Sequence, residues 1–331
     1  MNRVFLISFF LLLTGGICAQ QATTGVLTLK EAEQRFLERN LSLIAERYNI
    51  DMAQAQVLQA KLFENPVISL EQNVYNRLNG KYFDFGHEGE AVVEIEQVIR
   101  LAGQRNKQVK LDKINKEIAG YQFEEVMRTL RRELNEKFVQ VYFLSKSISI
   151  YEKEVNSLQN LLAGMKVQQE KGNISLMEIS RLESMLFSLK KEKNERENEL
   201  LTLRGEFNRL LNLPGDTRIP LSLDEEVLKQ LDLSRLSFAD LKAMKKERPD
   251  LKIARSMASA SRAILKLQKS MAFPEFSVKG SYDRIGNFIR DYFAVGVSLS
   301  VPIFNRNQGN IKAARFSIQQ AGVQQEDAAN R

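Results

Sequence analysis

The side chain with the widest chemical repertoire in this sequence is His87, its only histidine, set in a stretch with Asp84, Glu88 and Glu90. An imidazole among carboxylates raises the question of a metal site, but a bound metal needs several convergent ligands at a defined spacing. One histidine beside acids supplies no such spacing, so His87 reads as a solvated loop residue and no metal site is expected. The nine Met residues are scattered without a copper-type cluster, and the only cysteine is Cys18. Ser, His and Asp do not assemble into a hydrolase triad, and neither Gly-rich phosphate motif occurs. The chain is therefore expected to be no enzyme and to hold no cofactor. Arg128, Arg131, Arg132, Glu133 and Lys137 remain as a charged set at helical spacing. They read as the solvated face of a long helix or as the wall of a water-filled tunnel.

Composition narrows the class further. Of 331 residues, 48 are Lys or Arg and 41 are Asp or Glu, a net charge of +7. The two signs are interspersed, which is not the footprint of a nucleic-acid binder. With 44% apolar and 27% charged residues the chain is not wholly disordered. Met1-Asn2-Arg3 precedes an apolar run from Val4 to Ile17, and Ala19 stands before Gln20-Gln21. That is the layout of a secretory signal peptide, residues 1–19, with a core too short to span a membrane. Its removal takes Cys18 away, leaving an exported protein without disulfides. No later run is apolar enough for a transmembrane helix.

The elements follow from periodicity. Leu29 to about Leu62 reads as one helix, opened by Thr28 and Glu31 as a capping box and broken at Asn65-Pro66. Val67 to Tyr75 alternates, with Ile68, Leu70 and Val74 against Ser69, Glu71 and Asn73. Ala91 to Ile99 alternates too, with Ala91, Val93, Ile95 and Ile99 against Glu94, Glu96 and Val98. Around the polar stretch Asn76–Glu90 these make a β-hairpin, 67–99. From Gln104 to Lys171 there is no Pro, and apolar residues from Leu111 to Met165 recur at gaps of three or four with one exception. A helix of that length is roughly 100 Å long and must pack lengthwise against other helices. Gly172-Asn173 ends it, and Ser175 with Glu178 opens a return helix expected to reach about Leu213 and stop at Pro214-Gly215. The short link makes the two antiparallel.

The pattern then restarts. Leu236-Ser237-Phe238 stands for Leu27-Thr28-Leu29, Asp250-Leu251-Lys252-Ile253 for Asn40-Leu41-Ser42-Leu43, and Pro274 for Pro66. Two alternating strands follow. Phe276, Val278 and Tyr282 oppose Ser277, Lys279 and Ser281; Phe293, Val295, Val297, Leu299 and Val301 oppose Ala294, Gly296, Ser298 and Ser300. A helix opens near Asn310. The period is about 205–210 residues. The organisation is a first repeat over 20–235, with its α-hairpin at 104–213 and a mixed connection after Asp216. A second repeat over 236–331, with its β-hairpin at 276–301, lacks the long rod, so the chain is expected to be C-terminally truncated.

Two-stranded hairpins are marginal alone, so these need neighbours. Their apolar faces suit either a soluble sandwich or a membrane barrel, whose strands are about 9–11 residues long. Four strands fall short of the roughly eight that close the smallest barrels, so a barrel would require several copies. The long rods joined to short strands favour the barrel.

At this point the chain resembles the TolC-type outer membrane efflux proteins, nearest their heavy-metal cation branch. Gln97-Val98-Ile99-Arg100-Leu101-Ala102-Gly103-Gln104-Arg105 is similar to the family's strand-to-helix junction, Q-x-I-x-x-x-G-x-R. Ser300-Val301-Pro302-Ile303-Phe304-Asn305-Arg306 is similar to its V-P-I/L-F exit from the fourth strand. Gly172-Asn173-Ile174-Ser175-Leu176-Met177-Glu178 resembles its hairpin tip, although Gln169 stands where an aromatic is common and Leu182 where Ala is usual.

The resemblance implies a mainly α fold with a membrane β-barrel contribution. Two tandem helix–β-hairpin–helix repeats would build a homotrimer with a twelve-stranded barrel and a periplasmic helical tunnel. It implies a passive exit duct in the bacterial outer membrane, with metal cations as cargo. A periplasmic adaptor and an inner-membrane pump of the resistance-nodulation-division type would be its partners, with no nucleic acid. Gly172, Asn173, Ile174, Ser175 and Glu178 would meet the adaptor. Phe276, Val278, Tyr282, Phe293, Val295, Val297 and Leu299 would face lipid, and Gln97, Gly103, Arg105, Pro302 and Phe304 would shape the junctions. Asn76–Glu90 and Asp283–Asp291 would face the exterior. The alternatives are a drug-efflux or type I secretion channel of the same fold, or a periplasmic adaptor. An adaptor inserts one hairpin into a small β-domain and lacks a tandem repeat. A plain coiled-coil protein leaves the recurring strands unexplained.

Overall fold

The computed structural model describes residues 25–226, 237, 239, 244–285 and 289–331. The expected signal peptide, the repeat markers Leu236 and Phe238 and the centre of the Asp283–Asp291 loop lie outside the described residues. In chain order the elements are β1 (Leu27–Thr28), α1 (Leu29–Arg39), α2 (Leu41–Gln59), β2 (Val67–Gln72), β3 (Tyr75–Asn76), β4 (Lys81–Tyr82) and β5 (Ala91–Ile99). They continue with α3 (Gln104–Glu170), α4 (Leu176–Leu210), β6 (Leu221–Ser222), α5 (Pro249–Ser270), β7 (Glu275–Ile285), β8 (Arg290–Ser300) and α6 (Gln308–Asn330). Among the described residues no helix is long and apolar enough to cross a membrane.

The chain divides into two compact units. One comprises residues up to Gln34, Glu136–Arg209 and Leu213–Asp224. Here α3 and α4 run antiparallel, and the cross-helix contacts give the direction. As the chain climbs α3 through Lys137, Glu152 and Lys166, the ionic partners descend α4 through Glu206, Lys193 and Glu183. Between these pairs Phe138 meets Phe207 edge-on at 6.0 Å, and Val141, Ile148, Val155, Ile179, Leu186 and Leu200 are buried along the seam. Lys137, bonded to Glu206, holds that carboxyl below the usual carboxylate range. At the foot of this unit β1 and β6 form a short parallel ribbon, and Thr28 caps α1 reciprocally with Glu31.

The return helix stops at Leu210, earlier than Pro214 would place it. Asn212 takes a left-handed φ of 52°, Leu213 N–H donates to Asn208 O at 2.9 Å, and the Asn208 amide donates to the carbonyls of Pro214, Gly215 and Thr217. This is a Schellman-type stop with Asn in the place glycine usually takes.

The second unit comprises Arg35–Asn135, Leu210–Asn212 and residues from Glu225 onward. The single helix expected over 29–62 is two helices. Asn40 leaves the helical region at ψ 120°, its side chain accepts from Leu43 N–H at 3.0 Å, and its amide donates to Leu210 O at 2.8 Å. A buried Asn with both ends bonded starts α2 afresh, an N-cap made possible by an acceptor 170 residues away. The sheet joins both repeats in the order β2-β5-β7-β8, every pair antiparallel. Beneath it α5 packs on α3 through Leu111, Ala260, Ala263 and Leu267, with Ile114, Ile118 and Ile264 against them. Small residues on α5 let the helices approach closely, and Ser261 reaches Ser317 of α6 at 3.2 Å.

Candidate functional site

Register sorts the sheet's side chains by face. Phe276 lies opposite Leu299, Val278 opposite Val297, and Tyr282 opposite Phe293. On β5, Val93 stands opposite Tyr282 and Ile99 opposite Phe276; on β2, Ile68 stands opposite Ile95 and Leu70 opposite Val93. One face of all four strands is thus apolar, with Gln97 inserted opposite Val278. Most of its side chains are open to the surroundings, Val295 at 84%, Leu70 at 79% and Phe293 at 76% exposed, while Phe276, Val278 and Tyr282 on β7 are half-buried. The other face carries Ser69, Glu94, Glu96, Ser277, Lys279, Ser281, Gly296 and Ser298, with Lys279 bonded to Glu94 at 3.1 Å. The sheet has its polar side organised and its apolar side bare.

Where the strands give way to helices, side chains tie chain ends together. The Gln97 amide donates to Glu64 O at 3.0 Å, Arg100 pairs with Glu64 at 2.6 Å, and Arg105 donates to Lys61 O at 3.2 Å while stacking 3.9 Å from the Phe63 ring. The Arg100–Glu64 pair is half-exposed and adds little on its own. Ala102 and Gly103 both have positive φ, 54° and 63°, which turns the chain sharply into α3. A cavity of about 690 Å³ lies among the end of α2, β5 and the start of α3, lined by Leu62, Phe63, Ile99, Arg105 and Asp112 among others. At the other junction Pro302 is half-buried, Phe304 is 91% exposed, and Arg306 bonds back to Ile303 O.

At the hairpin tip Gly172 adopts φ 81°. Its N–H donates to Gln169 O, and Asn173 N–H donates to Gln168 O, closing α3. Ser175 and Glu178 then cap α4 reciprocally: Ser175 N–H donates to the Glu178 carboxylate at 3.1 Å and Glu178 N–H to Ser175 Oγ at 3.3 Å. Ile174 is half-buried, while Leu176 and Met177 are exposed.

The outer membrane efflux protein family model matches residues 33–213, more than half of the chain. The chain belongs to this family. Over 311 residues it is 22% identical to the cobalt-zinc-cadmium resistance protein CzcC of Cupriavidus metallidurans, spanning 93% of this chain and 70% of that protein. Its fold is similar to that of CusC, at TM-score 0.72 and 17% identity, covering 91% of this chain and 72% of that one. It is similar as well to the MtrE outer membrane channel of Neisseria gonorrhoeae, at TM-score 0.71 and 15% identity, covering 91% and 70% of the two chains.

For a chain of the outer membrane efflux protein family, the expected site residues fall into four places. Phe276, Val278, Tyr282, Phe293, Val295, Val297 and Leu299 share one sheet face. Gln97, Gly103 and Arg105 gather at one junction, and Pro302 and Phe304 stand at another, where Phe304 projects freely. Gly172, Asn173, Ser175 and Glu178 form one bonded turn. Sequence reasoning passed over Gln104, which is 5% exposed and donates from Nε2 to Ser270 O at 3.0 Å. A helix-opening Gln after a left-handed glycine was the available signal. It also passed over the loop knot in which Asn76, Asn79 and Gly86 N–H all donate to Asp84, and Asn76 to Glu88 O. Among the described residues no three His, Cys, Asp or Glu side chains converge as metal ligands.

Proposed function

We propose that the chain is one copy of a passive exit duct in the outer membrane. Three copies would complete a barrel of twelve strands and a tunnel of helices below it. The observation that carries this reading is the four-stranded sheet with one largely exposed apolar face, interrupted at Gln97. Two physical requirements follow from it. Apolar residues at these exposures are destabilising in water and stabilising against hydrocarbon. The edges β2 and β8 present unpaired backbone groups, which lipid cannot satisfy, so each edge needs a strand from another copy.

The cargo reading rests on the name of the relative CzcC and favours cobalt, zinc and cadmium ions. The hairpin tip, with Gly172, Asn173, Ile174, Ser175 and Glu178 in a rigid capped turn beside exposed Leu176 and Met177, offers a docking point for a periplasmic adaptor. A pump of the resistance-nodulation-division type in the inner membrane would supply the energy. Deleting the gene should lower tolerance to these cations, and the protein should fractionate with the outer membrane. Unchanged tolerance together with recovery in the soluble periplasm would overturn the proposal.

A further inference from the structure

The ends of α5 and α2 share two closing backbone bonds, to which α2 adds Lys61 N–H donating to Leu58 O at 3.0 Å. Met271 N–H donates to Leu267 O at 3.1 Å and Phe273 N–H to Ser270 O at 3.2 Å; likewise Ala60 N–H donates to Gln56 O at 2.9 Å and Leu62 N–H to Gln59 O at 3.1 Å. Gln59 is therefore the structural equivalent of Ser270. The starts of α3 and α6 match in the same way. In each, a residue in left-handed backbone, Gly103 or Asn307, precedes a glutamine that opens the helix, Gln104 or Gln308.

Inside one chain the pairing of β5 with β7 brings the start of α3 to the end of α5, where buried Gln104 bonds Ser270 O. The strands alternate in direction across the sheet, so β8 stands to an incoming β2 as β5 stands to β7. Gln308, below β8, is exposed, and its amide is occupied within its own turn by Phe304 O at 3.3 Å and Arg306 N–H at 2.8 Å. Gln59 O, like any carbonyl oxygen, has a second lone pair beyond the one Leu62 N–H uses. The adjoining helix faces are also bare: Tyr48 and Met52 on α2 are 63% and 59% exposed, and Phe316 and Val323 on α6 are 58% and 68% exposed.

From this internal symmetry we infer that Gln308 of one copy donates from Nε2 to Gln59 O of the next, repeating between copies the Gln104–Ser270 bond made within each. The α6 face bearing Phe316 and Val323 then covers the α2 face bearing Tyr48 and Met52. The inference rests on the multi-copy barrel proposed above, and its test separates the two.

With Cys18, the chain's only cysteine, replaced by Ser, the pair Gln308→Cys and Gln59→Cys is oxidised in membranes. The pair Gln104→Cys and Ser270→Cys calibrates reach within one chain. Native mass spectrometry of the extracted protein reports copy number. The expected result is trimers that run as a disulfide-linked ladder for the 308–59 pair. Trimers without a ladder, while the 104–270 pair closes, would overturn this bond and leave the barrel standing. Absence of trimers in the parent protein would overturn both. Because Gln308 is exposed in a single chain, Gln308→Ala should leave the chain folded and weaken each interface about five-fold, the loss of one hydrogen bond. Unchanged trimer dissociation in Gln308→Ala would count against the bond independently of the disulfide.

Discussion

Asp84 is a carboxylate held mainly by hydrogen-bond donors. The Asn79 amide, then Gly86 N–H, then the Asn76 amide donate to it, and Lys81 adds a smaller attraction, so its pKa lies below the ordinary aspartate value. The sign follows from linkage. A depressed folded pKa contributes stability that is fully present above the unfolded value and is lost as pH falls through the folded one. The loop should therefore be ordered at neutral pH and loosen only under acid stronger than that needed to protonate a free aspartate. A spin label at the exposed position Leu78, in a Cys18-free background, reads this directly. The expected spectrum is immobile at pH 7 and mobile in strong acid, whereas Asp84→Asn should be mobile at both, since an amide presents one acceptor to three donors. Identical spectra at both pH values in the unsubstituted loop would remove Asp84 from this role. At this scale the sequence was least legible. Asp84 looked like one acid near a lone histidine, and Gln104 like an ordinary helix opening, because the acceptor that gives Gln104 its role lies 166 residues away.

Elements were read more fully where one local rule decided them. The period of α3, the alternation of β7 and β8, and both capping boxes are properties of neighbours in sequence, and each element lies close to where those neighbours put it. The break at Asn40 and the stop at Asn212 were not legible, since an Asn ends a helix only when its amide or left-handed backbone is matched elsewhere, here by Leu210 O and Asn208 O. The Gly172 turn is the element-scale case that can be tested cleanly. Its φ of 81° is strained for any residue with a Cβ, yet beyond Gly172 and its two chain neighbours no atom lies within 4 Å of where that Cβ would stand. A substitution there reports on backbone conformation alone. Gly172→Val should cost about 1–2 kcal/mol and disturb the tip, while Gly172→Asn, which tolerates left-handed backbone, should cost less. Cation tolerance of cells carrying each variant, at matched protein level, should fall for Val and hold for Asn. Equal tolerance for both would show that the tip's conformation does not matter to export.

For the whole molecule, the decisive asymmetry is between the two faces of one strand. Val295 and Ser298 are three residues apart on β8, and an odd spacing places them on opposite sides. Val295 sits at the middle of the eleven-residue strand on the apolar face; Ser298 pairs with Ser277 on the face that carries Lys279 and Glu94. In an uncovered sheet, an arginine at the exposed Val295 would meet water and be harmless. In a bilayer, a charge at mid-depth on the lipid side costs about 2–4 kcal/mol, while the lumen side tolerates it. Val295→Arg should therefore deplete the heat-modifiable, folded species in the outer membrane, and Ser298→Arg should leave it in place. The contrast also separates barrel from sandwich, because burial against a second sheet would penalise Val295→Arg even in detergent-free soluble extracts, where a barrel protein is not recovered. If both variants accumulate equally in the outer membrane, the apolar face does not meet lipid, and the free edges of β2 and β8 must be satisfied by some closure other than a membrane barrel.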